Sequence, residues 1–162
     1  MACEAFGAAG LHQYEISNFA REGHASRHNL KYWRRQPYVG FGLDAHSMLR
    51  TDGGAVRFAN ADDLDAYMAA SSVRAVPEVD FVGREQAFEE SLFLGLRLNE
   101  GVCLNELRGR FGEAMMRSVM PALIECECAG LIGMKERRVR LTARGRMVSN
   151  EVFSRLLIEV AA

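Results

Sequence analysis

Four histidines fall in the first third of the chain, His12, His24, His28 and His46. One of them, His28, stands in an aromatic patch with Tyr32 and Trp33. Aromatic faces hold a flat, π-rich ligand by stacking, and an imidazole beside them offers a nitrogen to a metal. The same histidine has an ordinary alternative role, capping or hydrogen-bonding a loop, and the residue types alone leave both open.

A second constellation follows at Tyr38-Val-Gly-Phe-Gly-Leu-Asp-Ala-His46, a short apolar run with two glycines. It is not G-x-G-x-x-G, because the third glycine is missing, so as a nucleotide motif it is weak. Its glycines allow a backbone to approach an adenosyl group, or to pack closely at the end of a barrel. Glu15, set between Tyr14 and Ile16, is a carboxylate in a segment with the alternation of a strand. On an inward face it needs a partner, and it can bind an amino or guanidinium group or pair with Arg21, Arg27 or Arg34.

The cysteines are Cys3, Cys103, Cys126 and Cys128. Only the last two are close, and their C-x-C lies in a segment with helical periodicity. Residues two apart on a helix point about 200° from one another, so they do not readily share one metal. No paired C-x-x-C spacing exists, and the expected role of these cysteines is that of small hydrophobes.

The elements that must position these residues divide near residue 80. Residues 4–11 read as the end of a helix closed by Gly10, an abrupt start that points to truncation. Gln13 to Ala20 reads as a strand, Arg21 to Arg27 as a loop and His28 to Trp33 as a turn or helical start. Tyr38 to Leu43 reads as a buried strand, and Asp44 to Arg50 as a loop. Asp52-Gly53-Gly54 marks a turn into a second hairpin arm over Ala55 to Ala59, and Asn60 caps a helix over Ala61 to Ser71. Val73 to Val82, holding Pro77, is the linker candidate.

Beyond it, Arg84 to Leu98 is amphipathic. Ala87, Phe88, Leu92, Gly95 and Leu96 form one face, and Glu85, Gln86, Glu89 and Glu90 the other. Helices over Leu104–Arg110 and Glu113–Ala129 follow, then strands Leu131–Met134 and Arg138–Leu141. Thr142 caps a last helix from Ala143 to Glu159. Helix, helix, helix, hairpin, helix is the order of a winged-helix domain.

Composition bounds the rest. With 49% hydrophobic and 25% charged residues over 162 positions, the chain has the composition of a globular protein. Net charge is −1, which gives no global pull toward nucleic acid or an anionic membrane. Only Lys31 and Lys135 are lysines among 20 bases. Arginine suits bidentate pairing with carboxylates, although genome base composition explains the bias as well. Lys135 to Arg146 carries six bases and one acid on the expected wing, a phosphate contact or a solvated turn. The helix expected to enter a groove carries Glu113, Glu125 and Glu127 against Arg117, the wrong sign for a duplex. No apolar run reaches membrane-spanning length, and the first residues carry no signal-peptide core, so the expected address is cytoplasmic.

Taken together, Tyr14-Glu-Ile-Ser-Asn-Phe-Ala20, His28-Asn-Leu-Lys-Tyr-Trp33, Tyr38 through Ser47 and Arg57-Phe-Ala-Asn60 resemble the end of the catalytic barrel in the oxygen-independent coproporphyrinogen III oxidase-like radical-SAM family. Glu89 to Leu98 with Gly101-Val102, Ala129 to Ile132 and Val139 to Gly145 resemble its tail. The H-N-x-x-Y-W pattern is similar to that of the haem-chaperone branch, whose members bind haem and pass it on.

The resemblance implies an α/β plus α+β chain in three parts. Residues 1–75 would be the end of a partial (β/α) barrel, 76–83 a linker and 84–162 a winged-helix-like domain. It implies His28, Asn29, Tyr32 and Trp33 as haem-associated residues. Gly40, Gly42, Ala45 and His46 would lie near an S-adenosylmethionine pocket, with Glu15 a further polar barrel residue. The family's cluster-binding C-x-x-x-C-x-x-C is missing from these residues. A [4Fe–4S] cluster, S-adenosylmethionine and haem are therefore expected of a full-length parent, haem alone of this chain, and no catalysis of the chain alone. Partners implied are haem or porphyrin, a haem-accepting protein, and association through an exposed barrel edge. The alternatives are a fragment of a porphyrinogen-decarboxylating oxidase and a winged-helix module for nucleic acid or protein.

Overall fold

The computed structural model describes residues 2–52, 54–72 and 78–157, which form two compact units. One comprises Met1–Arg35 with Phe88–Ala162, the other Gln36–Ala87. This grouping differs from a division near residue 80, because the first 35 residues pack with the C-terminal part. The described residues mix helices with three small sheets, none closed on itself.

In the first unit, α1 (Ala2–Ala8) ends at Gly10, whose φ of +72° suits glycine. The expected single strand over 13–20 is instead two short arms, β1 (His12–Gln13) and β2 (Phe19–Ala20), paired antiparallel. The reason lies between them: Glu15 accepts hydrogen bonds from the Ser17 amide and from Asn18 Nδ2, each at 2.7 Å, which folds the chain back on itself. α2 (Arg27–Trp33) begins at Ser26, whose hydroxyl caps the Asn29 amide.

α4 (Arg84–Arg97) crosses from the second unit into the first. Phe88, Leu92 and Leu96 are its buried stripe, as the periodicity requires. Glu90, expected on the polar face, is buried and receives the Arg35 Nε at 2.7 Å.

β6 (Val102–Cys103), not read from the sequence, precedes α5 (Leu104–Phe111) and α6 (Glu113–Cys128). It pairs with β8 (Arg138–Leu141), which pairs in turn with β7 (Ile132–Lys135), giving the order β6-β8-β7. Met116, Val119, Leu123 and Cys126 of α6 pack beneath with Val139 and Ile132. The expected last helix breaks at Val148 (φ −121°, ψ 35°) into α7 (Ala143–Met147), capped by Thr142, and α8 (Ser149–Arg155); residues 158–159 of that expectation lie outside the described residues.

Three arginines of the expected wing are tied to backbone carbonyls. Arg138 donates to the carbonyls of Glu100 and Gly101, Arg140 to that of Glu100, and Arg146 to that of Leu141.

In the second unit, the expected loop over 44–50 is largely strand. β3 (His46–Thr51) pairs antiparallel with β4 (Gly54–Ala59), and β4 pairs with β5 (Asp80–Val82). β5 lies inside the span expected to be linker. The expected buried strand over 38–43 reduces to one bridge from Tyr38 to Met48, and Val39, Phe41 and Leu43 are exposed. α3 (Leu64–Ser72) starts beyond Asp63, which accepts the Ala66 amide, so Asp63 takes the capping role expected of Asn60. Residues 73–77, including Pro77, lie outside the described residues.

Candidate functional site

The haem-associated candidates all lie on α2. At about 100° per residue, i and i+4 positions fall on one stripe of a helix. His28 and Tyr32 form such a stripe, with ring centroids 4.9 Å apart and edge to face. Asn29 and Trp33 form the next. His28 is exposed, and the other three are half-buried.

Trp33 is committed to the protein. The guanidinium carbon of Arg97 stands 4.3 Å from the centre of its ring, a cation–π arrangement. Arg97 Nη2 also donates to Glu15 Oε2 at 3.1 Å. Glu15 is fully buried, so its carboxylate requires this cation together with the two donors of its own turn. The backbone repeats the connection. The Ile16 amide donates to the Arg97 carbonyl and the Asn99 amide to the Tyr14 carbonyl, flanking a bridge between Glu15 and Leu98. Asn99 Nδ2 also reaches the Gln13 carbonyl.

The partner of Glu15 is therefore Arg97, not Arg21, Arg27 or Arg34. Arg34 pairs with Glu100 at 3.0 Å. Sequence reasoning does not single out Arg97, whose role follows from its position at the end of α4 between the buried Leu96 and Leu98.

Gly40, Gly42, Ala45 and His46 belong to the other unit, in a loop closed on itself. Asn60 Nδ2 donates to the carbonyls of Gly40 at 3.3 Å and Gly42 at 2.8 Å, and the Asn60 amide to that of Ala45. The Gly40 amide reaches Ser47 Oγ, and the Gly42 amide reaches the Tyr67 hydroxyl. A Cβ on Gly40 would strike the His46 carbonyl, so this glycine serves the loop's own packing. Gly42 has φ +101°, where glycine is favoured. Of the four, only His46 lines the neighbouring open cleft of about 630 Å³, with Arg57, Phe58, Glu78 and Asp80.

The thiols are dispersed. Cys126 is buried in α6, Cys128 is exposed two positions on, Cys103 is half-buried beside α5 and Cys3 is exposed on α1. Burial holds the Cys126 thiol above its usual pKa, against a smaller opposing effect of Arg155. Among the described residues, no three His, Cys, Asp or Glu side chains are grouped to hold a metal ion. No described helix is long and apolar enough to cross a membrane.

Residues 82–148 match the HemN C-terminal domain family. The chain is 38% identical over 158 residues to the haem chaperone HemW of Bacillus subtilis (strain 168), covering 94% of this chain and 40% of that protein. It is 30% identical over 168 residues to the mitochondrial radical S-adenosyl methionine domain-containing protein 1 of Danio rerio, covering 98% of this chain and 38% of that one. The chain thus spans about 40% of the length of these relatives. Its fold is similar to that of coproporphyrinogen III oxidase (HemN) from Escherichia coli, a radical SAM enzyme. The TM-score is 0.70 at 14% identity, over 98% of this chain and 40% of that one.

Proposed function

Because this chain belongs to the HemW-type branch of the oxygen-independent coproporphyrinogen III oxidase-like radical-SAM family, we propose that it is the C-terminal part of a haem chaperone and carries that protein's haem-associated helix. The observation that carries this reading is the exposed His28 imidazole set edge-on to Tyr32 on α2, within H-N-x-x-Y-W. A neutral imidazole is a common axial ligand of haem iron, and a neighbouring aromatic ring supports the macrocycle. Haem is the cargo in this reading.

Residues 1–75 are read as the end of a radical-SAM barrel, and 84–162 as a winged-helix-like domain. The strand order β6-β8-β7 around α5 and α6 supports the second assignment. In this architecture, the domain acts as a platform for α2. Arg97 and Asn99, at the end of α4, hold the turn that contains Glu15, and Arg97 covers Trp33.

The four cysteines do not fit a [4Fe–4S] cluster, whose ligation needs several thiolates converging on one site. No step of this reading runs through a cluster, and the chain by itself is assigned binding rather than radical chemistry. The loop with Gly40, Gly42, Ala45 and His46 is assigned to the neighbourhood of the S-adenosylmethionine pocket of the whole protein. Its contribution there would be shape, because the Gly40 and Gly42 carbonyls and amides are already hydrogen-bonded within the loop's own unit. A haem-accepting protein is the proposed partner, and the cytoplasm the proposed address.

Titration of the purified chain with haem tests the reading. Saturation near one haem per chain, with a spectrum that changes in His28→Ala, is the expected result. Identical spectra for the two proteins would remove His28 from the site.

A further inference from the structure

We infer that Arg27 and Lys31 form a carboxylate clamp beside His28 and Tyr32, which binds a tetrapyrrole through its propionate groups. This rests on the haem-binding reading above and names what would select the ligand's acidic edge. On α2, positions 27, 28, 31 and 32 lie at about 0°, 100°, 40° and 140° around the axis, one continuous face. Arg27, His28 and Lys31 on that face are exposed. Asn29 and Trp33 lie behind it, and Trp33 is already covered by Arg97.

The charges on this face differ from those of the neighbouring arginines. Arg34 is paired with Glu100, Arg35 with Glu90 and Arg97 with Glu15. Arg27 and Lys31 have no ion-pair partner among the described residues, and α2 carries no acidic residue. Two unpaired cations one helical turn apart, beside an imidazole and a phenol ring, match a flat ligand that carries two carboxylates at one edge. Arginine can grip a carboxylate with two parallel hydrogen bonds, while lysine acts as a point charge. Both side chains are long enough to reach past the ring edge, and the stems would cover apolar surface.

The experiment compares haem, metal-free protoporphyrin IX and the dimethyl ester of haem, each titrated into the wild-type chain, Arg27→Gln/Lys31→Gln and Arg27→Lys/Lys31→Arg. Circular dichroism checks that each variant is folded. Loss of two exposed charge contacts should weaken haem binding roughly tenfold, since each such contact is modest. The bound spectrum should stay unchanged, because the axial ligand is untouched. The charge-conserving variant should bind like wild type. The ester should bind wild type and the glutamine variant equally, and raised salt should weaken only pairs that retain both carboxylates and cations.

Equal affinity of wild type and the glutamine variant for haem would overturn the clamp while leaving haem binding by α2 standing. So would an ester that binds wild type as tightly as the free acid does. Failure of the wild-type chain to bind either haem or protoporphyrin IX would overturn the clamp and the haem-binding reading together.

Discussion

The guanidinium of Arg97 lies over the indole of Trp33, 4.3 Å from its ring centre, while its Nη2 holds the fully buried carboxylate of Glu15. One cation at the end of α4 thus fixes two segments distant in sequence: the turn between β1 and β2, and α2, the helix that carries H-N-x-x-Y-W. The stack orients α2 with Trp33 inward, which leaves His28 outward. Under the proposed haem-binding reading, Trp33 would act as a positioning residue, and the half of H-N-x-x-Y-W left for a ligand would be His28 with Tyr32.

Arg97→Ala should therefore do more than remove a surface charge. It strands Glu15 in the interior, and breaking a buried pair by removing one partner costs several kcal/mol. Because Arg97 keeps a quarter of its side chain exposed, the expected loss is about 2–3 kcal/mol. Urea unfolding would measure it, and Trp33 emission in the folded protein should shift to the red as the indole loses its cover. Arg97→Ala/Glu15→Gln should recover part of the loss, because no buried charge is left unpaired. Equal midpoints for wild type and Arg97→Ala would show that Glu15 does not depend on this cation.

A second buried pair predicts a similar outcome without any effect on Trp33. Arg35 and Glu90 meet at 2.7 Å with almost no exposure, and Arg35 has φ +48°, which an L-residue adopts only under constraint. Glu90→Ala should destabilise by about 3 kcal/mol. The double replacement Arg35→Met/Glu90→Leu should regain much of that, because it removes both charges at once. A thermal-melt cycle over the four proteins measures the coupling, and additive single effects would argue against a direct pair.

How much of this was legible in the sequence depended on range. Local signals read correctly: the cap at Thr142, the stop at Gly130 and the apolar stripe of α4 each depend on residues within a turn or two. Long-range pairings did not. Glu90 follows the helical period of a solvent-facing acid, and the cation that meets it in the interior, Arg35, lies 55 positions earlier. Gln13 to Ala20 alternates like one strand, but Glu15 captures its own backbone and bends the segment. β6 is two residues long, too short to carry a period. At the candidate site, the motif residues were visible by type, whereas Arg97 became visible only once α4 placed it beside Trp33. For Arg138 and Arg140 the sequence leaves a phosphate contact and a solvated turn both open, because charge alone does not reveal a backbone carbonyl as the partner.

The loop of the second unit hangs on one side chain. Asn60 Nδ2 donates to two carbonyls, and its own amide to a third. Asn60→Asp has the same shape but turns the donor into an acceptor that faces carbonyl oxygens. It should cost about 2 kcal/mol or more, the range for a part-buried group left facing the wrong partner. Hydrogen exchange should quicken at Gly42, Asp44 and Ala45 and stay slow in α6. Unchanged exchange in the loop would mean that Ser47 and Tyr67 hold it without Asn60.

Cys126 predicts how stability changes at alkaline pH. Burial raises its thiol pKa, since the folded interior disfavours the thiolate. Below the ordinary thiol value, about 8.5, the group is neutral both folded and unfolded, and its burial stabilises in full. Above that value the unfolded chain releases a proton that the folded chain retains, so stability falls as pH rises toward the folded pKa. Other groups titrate in the same range, and Cys126→Ala isolates this one. The variant should lose about 1 kcal/mol at pH 7 from the small cavity, yet decline less steeply than wild type between about pH 8.5 and 10. Thiol labelling gives an independent check. Exposed Cys3 and Cys128 should react first, Cys103 more slowly, and Cys126 only as fast as the protein opens. Parallel alkaline slopes for the two proteins, or labelling of Cys126 as fast as Cys128, would place the thiol in contact with water and defeat the argument.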